Sequence, residues 1–559
     1  MRSKTAILAI MYKPRTELST HDVTNQPRQP GDLDPLQDPA LAEPLMAAFA
    51  RCDANRDERD TATHHMTHLA TFAKEAGAHH TRELGRQADE HPPRLKAFNA
   101  QGERIDEVEF HPAYHQLMKI GLQGGVSSRA WTDPAGGQIA HAALLYMMSW
   151  ADSGVTCPMS MTYAAQPILR RADWANGWAE SARAPDYDPN AMPIEHKSAA
   201  TIGMAMTEKQ GGSDLRANTT RAHALSDDEV ELVGHKWFCS APMCDAFLTL
   251  AYEEGGLSCF LAPRWRPDGS RNQIEIQRLK DKMGDRSNAS SEIEYRSAYA
   301  RRIGAPGRGI ATIIQMAHHT RYDCMIGSAA GMRQAVCRAA FHVSQRTAFQ
   351  KTLIDQPLMR GVIADLTLES EAAIALTLRV GAGFDLSADN EREAALSRAL
   401  TPLAKFWICK RQPDVVSEAL ECFGGVGFVE ETGMARLFRT SPLNAIWEGS
   451  GNIMALDLQR ALSDEAVRKV FNEELKRIAA DIPETETLAS KLRSERPDNL
   501  RLFAQQAALV FSADALTDPS LRKMYVQTRI THPTPIWGAF GVQVDLDNPI
   551  VRATSWMLG

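Results

Sequence analysis

The amino-acid sequence predicts a mainly helical protein with a central β domain, and three observations carry that reading. Hydrophobic residues make up 44% and charged residues 23% of the 559 residues, the composition of a globular chain with a sizeable core. Long Ala- and Leu-rich segments with helical spacing of apolar positions occupy both flanks. Between them, from about Thr201 to Ala300, the pattern changes to short alternating runs separated by turn residues. At ~100–200 residues per domain, such a chain divides into about three or four domains.

In chain order, residues 1–45 read as an extended surface arm rich in Pro, Asp and Gln, as in Gln26-Pro27-Arg28-Gln29-Pro30-Gly31. Residues 46–200 read as an N-terminal helical domain, in which Ile139–Met148 is small and apolar almost all round, as in a buried helix. Residues 201–303 read as a small antiparallel β domain. There Glu229–Val233 precedes Gly234, Phe247–Tyr252 precedes Gly255-Gly256, and Leu257–Ala262 precedes Pro263. Gly304–Gly309 marks a loop and a boundary. Residues 304–460 return to long helical segments, with Leu366–Leu378 amphipathic and Gly381–Asn390 a loop, the pattern of a bundle. Residues 461–559 add helices broken at Pro483, Pro497 and Pro519, and the chain from Pro533 onward reads as irregular.

Charge and cysteine usage narrow the function classes. A net charge of −7 offers no general attraction to nucleic acid or anionic lipid. No apolar run approaches the ~20 residues needed to span a bilayer. Met1–Tyr12 carries only the short apolar patch Ala6–Ile10 and reads as a flexible tail rather than a secretory leader. Nine cysteines, an odd number without a C-x-x-C pair, argue against a disulfide framework and a zinc site, so a reducing cytoplasm fits best. The pairs His64-His65, His79-His80 and His318-His319 put neighbours on different helix faces. Pro112 and a missing carboxylate disqualify His111 with His115, so no metal is expected.

Two segments carry chemistry. In Ile446-Trp447-Glu448-Gly449-Ser450-Gly451-Asn452, one carboxylate sits between an indole and a small-residue turn. Gly449 and Gly451 let a planar ligand approach the main chain, and Ser450 and Asn452 offer a hydroxyl and an amide. Trp447 would help desolvate Glu448 and raise its pKa toward that of a working general base. The competing reading has Glu448 only capping the helix that starts near Ile453. Far upstream, Met206-Thr207-Glu208-Lys209-Gln210-Gly211-Gly212-Ser213-Asp214 combines hydroxyls with paired glycines that suit a ring edge and a pyrophosphate. Gly234-His235-Lys236-Trp237-Phe238-Cys239-Ser240 then adds an aromatic surface and a further hydroxyl for a flat heteroaromatic ligand.

In this order and spacing, these segments resemble the acyl-CoA dehydrogenase family of flavoproteins, over about Phe110 to Arg460. Arg346-Thr347-Ala348-Phe349 resembles the family's Arg-x-x-Phe segment, and Phe423–Phe428, with Gly424 and Gly425, its glycine-rich flavin-contact loop. Trp447-Glu448-Gly449 stands where the family has Tyr-Glu-Gly. Thr207–Asp214, Gly234–Phe238, Lys280–Ser290 and Ile446–Met454 are most like the alkylation-response branch, and Lys209, Gln350, Glu421 and Thr440 depart from the fatty-acid enzymes. The resemblance implies an N-terminal helical domain, a middle β-barrel-like domain, a C-terminal four-helix bundle and a helical extension. It implies FAD, held by Met206, Thr207, Gly212, Ser213, Trp237, Phe238, Ser240, Gly424, Gly425, Trp447, Gly449, Ser450 and Asn452. It also implies Arg346 and Phe349 reaching the flavin of a neighbouring subunit, hence a dimer or tetramer.

The implied reaction removes the α-proton of an acyl-CoA with Glu448 and passes the β-hydride to flavin N5, with an electron-transfer flavoprotein as acceptor. Arg321 holds the carboxylate or orders the site. Some relatives take the base from a helix position just before that Arg; here it is Thr320, which cannot serve. The branch also implies an alternative, a DNA-associated flavoprotein with weak or vestigial dehydrogenase activity. Residues 460–559 carry as many acidic as basic side chains, a poor footprint for duplex DNA unless Arg493, Arg496, Arg501, Arg522, Lys523 and Arg529 cluster on one face.

Overall fold

The structure, a computed structural model, describes residues 23–54, 60–494 and 499–558. The tail at residues 1–22, Arg496 and the break at Pro497 lie outside the described residues. Helix α1 (Pro39–Ala54) begins inside the stretch read as arm. Asp38 explains this: it is buried, accepts the Ala40 N–H at 3.0 Å, and pairs with the buried Arg333 guanidinium at 2.7 and 2.8 Å. Helices α2 (Thr61–Gly77) and α3 (His79–Glu90) follow, then a hairpin of β1 (Arg94–Phe98) and β2 (Arg104–Glu109) within the region read as helical. Helices α4 (Pro112–Gln123), α5 (Gly137–Ala151) and α6 (Ser153–Leu169) complete the unit. Helix α5 is buried nearly all round, and its first N–H groups, of Gln138 and Ile139, donate to Asp385 at 2.9 and 3.0 Å.

The middle region is a seven-stranded sheet of β3 (Ile202–Ala205), β4 (Arg221–Ala224), β5 (Glu229–Ser240), β6 (Ala246–Glu253), β7 (Gly256–Pro263), β8 (Ile274–Leu279) and β9 (Ser290–Ile303). Pairings β6–β4–β5–β9–β7–β6 close it into a ring, with β3 added beside β6 and β8 beside β9. The sheet is not wholly antiparallel, because β3 and β4 both run parallel to β6. Gly234 does not end a strand, as its place in the sequence predicts; β5 continues through it to Ser240. Its φ is 151°, and a Cβ there would lie 2.5 Å from Thr220 Oγ1, so glycine allows close strand contact.

Three long helices then pack together: α7 (Gly309–Val343), α8 (Pro357–Leu386) and α9 (Glu391–Glu421). A short hairpin, β10 (Thr347–Ala348) and β11 (Lys351–Thr352), joins the first two. Helix α8 is buried on all sides from Ile363 to Gly383, so Leu366–Leu378 is a central rather than an amphipathic segment. The helix runs through Gly381, where a loop is predicted from sequence. A Cβ at Gly381 would stand 2.1 Å from Tyr322 Oη, so this glycine serves close helix contact and not a break.

Beyond α10 (Gly451–Leu462) come α11 (Glu465–Asp481), α12 (Glu486–Ser494) and α13 (Leu500–Ala515). The end of the chain is not wholly irregular. Asp547–Leu558 forms α14, which buries Ile550 and Ala553 against the bundle. Arg552 locks it there, donating to Glu43 at 2.9 Å and to Glu371 at 2.9 and 3.0 Å. The molecule is therefore a helical domain, a β barrel-like domain and a helical bundle with a helical extension, and the fold class matches the prediction.

Candidate active site

Glu448 lies in the turn between the bundle and α10, and its φ of 57° is left-handed. A non-glycine residue there costs roughly 1–3 kcal/mol unless its surroundings impose it. Three contacts do so. Lys405, nearly fully buried on α9, donates through Nζ to the carbonyls of Trp447 at 2.7 Å and Gly449 at 2.5 Å. Arg321 on α7 donates through Nε to the Glu448 carbonyl at 3.0 Å, while its Nη1 pairs with Asp457 at 2.8 Å. Gly449 has φ 105°, and a Cβ there would strike Met454 Cε at 2.5 Å.

The carboxylate itself is gripped lightly. Thr320 Oγ1 donates to Glu448 Oε2 at 2.7 Å, while the other oxygen has no hydrogen-bond partner among the described residues. Burial raises the pKa above the ordinary carboxylate value; the Thr320 hydroxyl, Lys405 and Arg321 oppose this, and Asp323 adds to it. Glu448 nevertheless keeps some exposed surface. Its backbone N–H donates to no acceptor among the described residues. The helix-capping reading fails, because the residue at the N-cap of α10 is Ser450 and Glu448 makes no capping bond.

The upstream segments lie against this turn. Trp447 and Met206 both pack on the apolar core of the β domain, and Trp447 Nε1 donates to Asn444 Oδ1 at 2.7 Å. Cys157 on α6 lies near both parts: burial pushes its thiol up to about 12, with smaller influences from Ser240 and from the charge of Glu448. Ser240 Oγ also lies 3.3 Å from Ser290 Oγ across β9. The Trp237 N–H donates to the Thr207 carbonyl at 2.8 Å, which ties the Thr207–Asp214 turn to β5. Thr207 Oγ1 sits 2.5 Å from where a Cβ of Gly212 would be, and Ser213 is exposed beside it. Phe238 is 56% exposed and Trp237 partly so, with Lys280 Nζ 3.3 Å from the Trp237 ring centre. These aromatics are therefore not core filling.

Other candidates stand apart. Arg346 follows α7, 26 residues beyond Thr320 by position and so about 39 Å along a helical path. Phe349 forms the tip of the β10–β11 hairpin with φ 51° and is 93% exposed. Gly424 and Gly425 lie in the turn Gly424–Phe428, where an added Cβ would meet nothing within 4 Å. Gly425 has no positive φ either, so nothing within its own chain requires a glycine there. Asn452 Oδ1 accepts from Arg501 Nη1 of α13 at 2.7 Å.

The sequence left Arg321 to hold the carboxylate or to order the site. It grips main-chain carbonyl oxygen and Asp457, which positions the turn, and it does not hydrogen-bond the carboxylate. Thr320, set aside as unable to be a base, is the hydrogen-bond donor to the Glu448 carboxylate. Lys405 was missed, although a lone Lys inside Leu403-Ala404-Lys405-Phe406-Trp407 is a signal for a buried cation with an assigned task. Four of the basic residues singled out for DNA bind their own chain: Arg493 pairs with Glu486, Arg501 with Asn452, Arg522 with the Leu516 carbonyl, and Arg529 with Asp365 and Glu369. All nine cysteines are free and buried, and no metal-binding cluster occurs among the described residues.

Barrel, bundle and buried acid together define an architecture of the acyl-CoA dehydrogenase type. Residues 203–298 match the acyl-CoA dehydrogenase middle domain, and residues 307–463 its C-terminal domain. Residues 25–189 match the family described as adaptive response protein AidB N-terminal domain. AidB of Escherichia coli is 44% identical over 452 residues, 80% of this chain and 81% of that one. Acyl-CoA dehydrogenase family member 11 of Caenorhabditis elegans is 33% identical, over 74% of this chain and 69% of that one. The crystal structure of C. elegans ACDH-11 in complex with C11-CoA superposes with a TM-score of 0.81 at 26% identity, covering 93% of this chain and 95% of that one. A Bacillus anthracis acyl-CoA dehydrogenase complexed with FAD shares the fold, with a TM-score of 0.59 at 16% identity over 80% of each chain. This chain belongs to the acyl-CoA dehydrogenase family, in its AidB-like branch, and FAD is the cofactor bound by the Bacillus anthracis enzyme.

The residues present fit that cofactor. Trp237 and Phe238 offer aromatic surface beside the hydroxyls of Thr207, Ser213 and Ser240, and Gly212 and Gly425 leave main chain bare.

Proposed function

We propose that the protein is an FAD-dependent dehydrogenase of acyl-CoA thioesters in which Glu448 is the base. The observation that carries this is a carboxylate with raised pKa, in a strained turn held by Lys405 and Arg321, against the strand that bears Trp237 and Ser240. FAD, when bound, supplies the hydride acceptor. Trp237, Phe238, Thr207, Ser213 and Ser240 bind and orient it. The Glu448 oxygen without a partner takes the substrate α-proton. The Glu448 N–H donates to the thioester carbonyl and stabilises the enolate-like charge as it forms. Thr320 keeps the carboxylate aimed, and Lys405 and Arg321 fix the backbone that carries both groups. The C11-CoA bound by ACDH-11 supports an acyl-CoA as the substrate class. Electron-transfer flavoprotein is the proposed acceptor.

We also propose at least a dimer. Arg346 and Phe349 lie beyond the end of α7, most of a long helix away from Thr320, which touches Glu448, and a 93% exposed Phe at a hairpin tip suits insertion into a neighbour. The test is anaerobic titration of the FAD-loaded protein with short-, medium- and long-chain acyl-CoAs. Bleaching of the oxidised flavin band by at least one chain length is expected. A flavin that stays oxidised with all of them removes the reading.

A further inference from the structure

A second cavity, of about 280 Å³, opens at the other end of α7. It lies between Arg338, Phe341 and His342 of that helix, the loop Phe423–Thr432, and a strap formed by Gln26–Pro30. The strap is pinned at both ends. The Asn25 side chain accepts the Thr347 N–H at 2.8 Å and donates to the Thr347 carbonyl at 2.7 Å. Arg82 donates to the carbonyls of Pro30, at 3.1 Å, and Gly31. Between these points the Arg28 N–H donates to Gln345 Oε1 at 3.3 Å.

Pro27, Pro30, Phe341, Phe423 and Val426 give the walls apolar surface, and two polar groups at the cavity, Arg338 and His342, are incompletely paired. Arg338 donates through Nη1 to the Thr432 carbonyl at 2.9 Å and forms no ion pair among the described residues. The charges acting on it are both cationic, Arg436 and Arg82, and with burial they push its pKa down to about 9. Its two neighbours are better served, since Arg436 acts on Asp152 and Arg82 on Asp32. His342 is only 6% exposed, and its ring stacks on Phe423 with centroids 4.3 Å apart. Its Nε2 is buried without a hydrogen-bond partner. Burial first, and Arg346 second, hold this imidazole neutral, with a pKa near 4.

A half-buried guanidinium without an ion pair, beside a buried imidazole nitrogen without a hydrogen-bond partner, leaves polar groups that a ligand could satisfy. We infer that the cavity binds a small monocarboxylate with an apolar body, its carboxylate paired with Arg338 and accepting the His342 N–H. One guanidinium offsets one carboxylate charge, and the proline and phenylalanine walls bury the apolar part. A phosphate dianion fits less well, because it has no apolar part and Glu431 stands exposed at the rim. The ligand would touch Phe423 and Val426, on either side of Gly424 and Gly425. The site lies outside the Glu448 turn, and loss of ligand binding with FAD content kept separates it from the flavin contact expected of Gly424 and Gly425.

The probe is benzoate, with 4-bromobenzoate for crystals, on the full FAD-loaded chain. Titration calorimetry is expected to show benzoate binding that Arg338→Met and His342→Phe each weaken at least tenfold, with FAD content and melting temperature kept. A soaked crystal should show the carboxylate at Arg338 and the bromine at the far end of the ring, among the apolar walls of this cavity. Any one of four results overturns the proposal: no heat with the wild-type protein, affinity unchanged in His342→Phe, bromine only beside Glu448, or inorganic phosphate binding as tightly as benzoate. If Arg338→Met fails to fold, His342→Phe and the bromine position decide.

Discussion

Two glutamates border the strand that carries Trp237, and the fold treats them in opposite ways. Glu208 has no exposed surface and its carboxylate is saturated. Lys236 Nζ donates to it at 2.9 Å, as do the N–H and hydroxyl of Thr219, at 2.7 and 2.9 Å, and of Thr220, at 3.1 and 2.6 Å. Burial pushes its pKa up, but Lys236 and these donors win and hold it at about 2. Glu448 accepts one hydroxyl and keeps one oxygen open, so burial wins and its pKa rises. The same side chain becomes a structural anchor or a base according to how many donors the surroundings supply.

The comparison breaks first at Glu448. Glu448→Gln should keep FAD but slow flavin reduction by acyl-CoA roughly 10²–10⁴-fold in anaerobic stopped flow. The same variant should gain stability at neutral pH, because a raised carboxylate pKa means that ionisation opposes folding, increasingly as pH rises through it. Unchanged reduction would place the base elsewhere. Lys236→Met attacks the other member. It leaves a buried, uncompensated carboxylate and should cost about 3–5 kcal/mol in denaturant unfolding. A cost like that of a surface substitution would show that Glu208 is not an anchor.

The pH dependence sharpens the contrast. The depressed pKa of Glu208 contributes stability that is present above 4.5 and is lost as pH falls toward about 2. Glu208→Gln should flatten that acid limb of the stability curve. Activity should instead rise with pH through the raised pKa of Glu448, since the base works ionised. Thr320→Val removes a bond that favours the carboxylate, so this rising limb should move to higher pH in the kcat/KM profile. An unmoved limb would separate Thr320 from the base. The smallest effect on stability belongs to Phe349→Ala, within about 0.5 kcal/mol because the ring is exposed. Its expected readout is instead a smaller assembly in sedimentation and loss of FAD on gel filtration.

Much of the candidate site was legible because its parts are contiguous in the chain. Trp447, Glu448 and Gly449 follow one another, as do Trp237 and Phe238, so residue type and order carry the chemistry. The fold class was legible too, since the switch from helical to alternating patterning needs only local sequence. Gly234 and Gly381 misled for one reason. Each was read as a break, yet each is small because Thr220 or Tyr322, remote in sequence, comes close. The helix at Asp547–Leu558 was hidden because its stability comes from Arg552 reaching Glu43 and Glu371.

By itself, then, the sequence determined which functional groups this protein owns, their order, and the alternation of helical and strand-forming stretches. Tertiary structure alone decided that Glu208 is saturated and Glu448 is not, that Lys405 and Arg321 hold a strained turn, and that Arg338 donates to a carbonyl and not to a carboxylate. Protonation and strain depend on solvent access and on donors from other parts of the chain, and packing brings those together across hundreds of residues.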